Sequence, residues 1–130
     1  MKKYGFSPED WSALKNEIRS ILIRTATSAE QTISYSELAE TVESASLKPF
    51  SQPLFAVLTE LSEEEDAAGR GMLSAVVIRK DRRKPRKSGF IRLAAKLERD
   101  VSNARACWDA EIERVCTYWS AHSTKITHLS

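Results

Sequence analysis

The sequence is poor in the residues that staple folds or carry chemistry. It has two cysteines and two histidines in 130 residues. His122 and His128 both lie near the C-terminal end, and neither has a metal-ligand spacing to Cys107 or Cys116. If the two cysteines share a helix, nine residues separate them. At ~1.5 Å rise per residue that is about 13 Å. A disulfide needs Cα atoms within about 7 Å, so both are expected to be buried free thiols in a reducing cytoplasm. Glycine is scarce as well. Gly69-Arg70-Gly71 is too short for a phosphate loop, and no serine sits in a nucleophile elbow. No apolar run approaches the ~20 residues that span a bilayer. The basic start, Met1-Lys2-Lys3-Tyr4, is followed by no apolar stretch or small-residue cleavage site, so no secretory signal is expected. These absences predict a protein without enzymatic activity, cofactor, metal or membrane association.

What is present suits an ordinary globular chain, at 42% hydrophobic and 29% charged. The length fits one domain with a core that forms without staples. Net charge is only +2, but it is unevenly spread. Arg79, Lys80, Arg82, Arg83, Lys84, Arg86 and Lys87 stand against the single acid Asp81. The remainder of the chain is therefore net acidic, with Glu60, Glu63, Glu64, Glu65 and Asp66 in one cluster. The molecule is charge-polarised rather than generally basic.

Helical signals dominate the order of elements. Ser7-Pro8-Glu9-Asp10 is a start signal for a helix to Thr27, with Trp11, Leu14, Ile18, Ile21 and Leu22 on one face. Phe6 is placed to staple against the first turn. Ser34 and Glu37 have capping-box spacing and open a short helix to about Val42. Ser51 caps a third helix to Ala68, with Leu54, Val57, Leu58 and Leu61 inward and the acidic cluster at its exposed end. Met72–Ile78 is the strand candidate, a short apolar run bounded by glycine and charge. Arg79–Ser88 reads as an exposed loop. Phe90–Arg99 and Val101–His122 read as two further helices, the last with Trp108, Ile112, Val115 and Trp119 in one stripe.

This order predicts a mainly α fold with a small β element. Specifically it predicts a winged helix-turn-helix-like domain over residues 1–122, with an added C-terminal helix and a loose tail over 123–130.

The basic segment is the leading functional feature. Cations next to a helix pair attract a phosphate backbone through counterion release, and arginine enters narrow minor grooves. Such contacts grip without reading sequence. Lys48, Ser51 and Gln52 at the start of the third helix, and Tyr35 at the start of the second, are the expected minor contributors. The acidic end of the third helix would repel nucleic acid, so only its first turn is expected to approach. The aromatic stripe from Trp108 to Trp119 reads as core, with a partner or homodimer surface as the other possibility.

Three local patterns resemble the DNA-binding domain of the DNA alkyltransferases and their inactive alkyltransferase-like relatives. Ile33-Ser34-Tyr35-Ser36-Glu37-Leu38-Ala39 looks like that family's Ser-Tyr-x-x-Leu-Ala helix start. Met72–Lys80 sits where the family has its Pro-Cys-His-Arg strand. Ser88-Gly89-Phe90, with Lys96-Leu97-Glu98, is similar to the family's Gly-Gly-Leu, Lys, Leu-Leu, Glu ending. The resemblance covers about half of the chain. It departs where the chemistry is, because Ser74 falls at the reactive cysteine and the activating histidine is missing. The family's helix-borne arginine that replaces a flipped base has no clear counterpart near Phe55-Ala56-Val57. The resemblance therefore implies a DNA-binding scaffold, not a repair reaction.

The reading is a non-enzymatic nucleic-acid-binding protein, duplex DNA favoured over RNA, gripped by Arg79–Lys87 as a wing. The alternative is a protein-interaction module, an accessory subunit or an inhibitor, that uses its charge polarity and aromatic C-terminal helix.

Overall fold

The computed structural model describes residues 4–79 and 89–129. Five helices and one two-stranded sheet follow one another as α1 (Pro8–Thr27), β1 (Ile33–Ser34), α2 (Tyr35–Thr41), α3 (Gln52–Ala67), β2 (Val77–Ile78), α4 (Gly89–Lys96) and α5 (Ala104–Leu129). The fold is mainly helical with a small β element. Among the described residues no helix is long and apolar enough to cross a membrane.

The helix starts follow their capping chemistry. Ser7 Oγ accepts from the Asp10 N–H at 3.1 Å, and Phe6 meets the Trp11 ring edge-on at 5.8 Å, closing a hydrophobic staple. Ser34 Oγ accepts from the Glu37 N–H, and the Glu37 carboxylate accepts from the Ser34 N–H, so the capping box is complete. Ser51 is different. It stands at the N-cap of α3, but its hydroxyl makes no capping bond and is buried with no hydrogen-bond partner among the described residues. Two helices stop in the same way. Beyond α3, Gly69 takes φ +77° while the Arg70 and Gly69 N–H groups return to the Glu65 and Asp66 carbonyls. Beyond α4, Glu98 takes φ +69° while Arg99 and Glu98 return to Ala94 and Ala95.

One core unites α1, α3, the 3₁₀ turn Leu73–Val76 and α5. Leu14, Ile18, Leu22, Leu38, Leu54, Leu61, Val76 and Val115 are among its buried side chains. A smaller cluster of Met72, Leu93, Ala94 and Cys107 fixes α4 against α5. Gly71 lies where they meet at φ +93°. A Cβ there would come within 3.1 Å of Arg114 and Val115, so a side chain would have to displace them slightly as well as adopt a left-handed backbone.

Three expectations are corrected. Met72–Ile78 is not one strand, because only Val77 and Ile78 are extended and Leu73–Val76 is a 3₁₀ turn. The reason lies in the backbone partners. The Met72 N–H donates to Glu111, the Ser74 N–H donates to Ser62 Oγ, and the Ala75 carbonyl accepts from the Trp108 indole. Side chains satisfy groups that a strand would pair with a neighbour. Next, the acidic cluster of α3 is not a solvated end. Glu65 is fully buried in a two-point ion pair with Arg70, at 2.9 and 2.7 Å. Lys15 pairs with Glu60 and Glu64, Arg19 with Glu64, Lys96 with Glu63 and Arg99 with Asp66. Finally, the last helix continues past His122 to Leu129.

The sheet is a single parallel pair, with Ile33 opposite Val77 and Ser34 opposite Ile78. Tyr35 and Arg79 thus leave the ladder side by side.

Candidate nucleic-acid interface

Tyr35 is the first residue of α2 and the centre of an aromatic group. Its ring centroid lies 5.1 Å from Phe50 and 5.7 Å from Phe55. Phe50 precedes the N-cap of α3, and Phe55 lies in that helix's first turns. Arg79 follows β2 directly and places its guanidinium 5.2 Å from the Phe50 ring centroid. Burial pushes the Tyr35 hydroxyl above its ordinary pKa, and the neighbouring Arg79 charge opposes that shift only in part. Tyr35 is therefore a neutral hydroxyl at physiological pH, able to donate as well as accept.

These contacts gather Tyr35 and Arg79 with the entry to α3. Lys48 and Gln52 are both exposed on either side of that entry, and Ser51 is partly buried between them. Lys80, Arg82, Arg83, Lys84, Arg86 and Lys87 lie outside the described residues. The two described ends of their segment are nonetheless informative. Arg79 touches this aromatic group, and α4 begins with Phe90 and Arg92 beside it.

Between α3, α4 and Tyr35 lies a cavity of about 260 Å³. Tyr35, Phe55 and Phe90 supply its aromatic walls, Thr59 and Ser74 its hydroxyls, and Arg92 its cation. Ser74 Oγ accepts from the Ser62 hydroxyl at 2.7 Å, and Ser62 Oγ accepts from the Ser74 N–H at 3.0 Å. That pairing leaves the Ser74 proton free to donate. Its partner is another hydroxyl, which cannot act as a general base at neutral pH.

Phe50, Phe55, Thr59, Phe90 and Arg92 escaped the sequence reading. Phe55 carried a usable signal, since it falls outside the apolar face of Leu54, Val57, Leu58 and Leu61. A large aromatic off the packed face is either wasted or used. Phe50 gave less, because a loop residue has no periodicity to violate.

The other residues singled out in the sequence have packing contacts. Trp108 donates to the Ala75 carbonyl at 2.9 Å, Val115 is fully buried, and Trp119 packs on the core under Arg70. Burial pushes the Cys107 and Cys116 thiols up, as for inert core cysteines. Among the described residues no three histidine, cysteine or acidic side chains converge as a metal site would require. No protein-family model, no curated protein and no solved structure matches the chain.

Proposed function

We propose that the protein binds nucleic acid, with duplex DNA as the ligand and Arg79–Lys87 as the phosphate-gripping segment. The carrying observation is the position of Arg79. The first cation of the segment lies on Phe50, beside the first residue of α2 and just ahead of α3. Arg79, where the basic segment begins, therefore lies beside the helix-pair entry. Cations placed so can reach phosphates while the helix starts approach a groove.

The distribution of acids supports the same orientation. Glu37 and Glu40 on α2 and Glu43 just beyond it are exposed and would repel a polyanion. The acids of α3 are neutralised by Lys15, Arg19, Arg70, Lys96 and Arg99 and add no comparable barrier. The order α1, β1, α2, α3, β2, with β1 and β2 parallel, supports a winged helix-turn-helix scaffold of the alkyltransferase-like kind. With Ser74 held by Ser62, the reading is of a binding protein and not an enzyme.

The test is a duplex titration at several salt concentrations. The logarithm of affinity should fall against the logarithm of salt with a slope of about −4 to −6, for roughly 0.9 per neutralised phosphate. Alanine at Arg79, Arg82, Arg83, Lys84, Arg86 and Lys87 together should flatten it. A slope near zero, or a variant that binds as well as the parent, would overturn the proposal.

A further inference from the structure

Phe50 is 52% exposed and Phe55 is 41% exposed. Burial of a large aromatic is worth several times the cost of holding it, so two such rings left in water on one side of a small domain call for a ligand. Both are held in fixed positions. Phe55 is on a helix, Phe50 sits against that helix's start, and Tyr35 touches both rings from below. Their surroundings are cationic. Arg79 lies on Phe50, and Arg92 and Lys48 are exposed nearby in the sequence of elements.

Exposed aromatic rings beside the Arg79 and Arg92 side chains suit one occupant above others. An apolar protein surface would gain nothing from the cations. A fully paired duplex offers phosphates but covers the faces of its bases. An unpaired nucleotide presents both a phosphate and a free π-face, and every base has such a face.

We propose that Phe50 and Phe55 form a stacking platform for unpaired bases, so that the preferred ligand is a duplex interrupted by unpaired nucleotides. This inference rests on the nucleic-acid reading above. It adds the rings as a second source of affinity, one that depends on base exposure and not on charge.

The experiment compares two fluorescent probes at one salt concentration: an intact duplex and the same duplex carrying a short thymine bulge. The bulged probe should bind about tenfold tighter, since one stacked base contributes about 5- to 150-fold. Phe50→Ala and Phe55→Ala should each remove most of that preference, weakening the bulged probe several-fold more than the intact duplex. Phe50→Trp and Phe55→Trp should keep the preference. Both rings are only partly exposed, and circular dichroism verifies that each alanine variant keeps the fold. Equal affinity for the two probes, or a preference that survives both alanine variants, overturns the platform. In that case salt-dependent duplex binding still leaves the wider reading standing. Binding to neither probe overturns both.

Discussion

Ser62 and Ser74 exchange two hydrogen bonds, hydroxyl to hydroxyl at 2.7 Å and backbone N–H to hydroxyl at 3.0 Å. Ser62 is fully buried on α3, and Ser74 lines the cavity. The pair ties the 3₁₀ turn to the third helix at the point where the chain might have continued as a strand. Ser62→Ala leaves the Ser74 N–H without its acceptor in a buried place. It should cost about 1–3 kcal/mol, measured by urea unfolding. Ser74→Ala removes only the outer hydroxyl and should cost less.

Arg99 and Glu111 are the second joint. The Arg99 guanidinium donates to both carboxylate oxygens at 3.0 Å, and Glu111 also accepts from the Met72 N–H at 2.7 Å. The hydrogen bonds from Arg99 to Glu111, with Asp66 beside them, raise the Arg99 pKa further and outweigh its burial. Arg99→Ala strands a buried carboxylate and should destabilise the fold by about 3 kcal/mol or more. Glu111→Gln keeps one acceptor for Met72 and should be milder. A thermal or chemical melt of the two variants decides the order.

Glu98 holds a left-handed conformation, at φ +69°, in the position where Gly69 ends α3. A side chain there costs about 1 kcal/mol that glycine does not incur. Glu98→Gly should therefore raise the melting temperature by a few degrees. Gly69→Ala should lower it by a similar amount.

Glu17 gives the fold an acid-sensitive clamp. Its carboxylate accepts from the Glu43 and Ser44 N–H groups and from the Ser44 hydroxyl. Burial tends to raise its pKa, but these bonds prevail and set it below the ordinary value. A lowered folded pKa contributes stability above the unfolded value, and that stability is lost as pH falls through the folded one. Wild type should thus exceed Glu17→Gln in melting temperature at neutral pH. The gap should narrow as pH falls below the ordinary glutamate value of about 4.3 and close only once the folded carboxylate is itself protonated.

The helices were legible in the sequence because each carries its own local code. Ser7-Pro8, Ser34 with Glu37, and Gly69 act within a few residues of themselves, and the apolar spacing of Leu14, Ile18 and Leu22 names its own inner face. The strand was misjudged because Met72, Ser74 and Ala75 satisfy their backbones through Glu111, Ser62 and Trp108, which lie 12 or more positions away. The acidic cluster was misjudged for the same kind of reason. Nothing near Glu65 in α3 announces that Arg19 from α1 comes to meet it. The candidate interface was half legible. Tyr35 and the basic run stood out by type, but Phe50 and Phe55 became relevant only once Arg79 was seen lying against them.

The first helix packs directly against the last. Val115, from α5, fills the same interior as Leu14 and Ile18 from α1. A chain still emerging from the ribosome therefore holds a finished α1 with an open flank until α5 is released. Closure of the interior waits on α5, and shortened products ending before α5 would present that flank to chaperones and proteases.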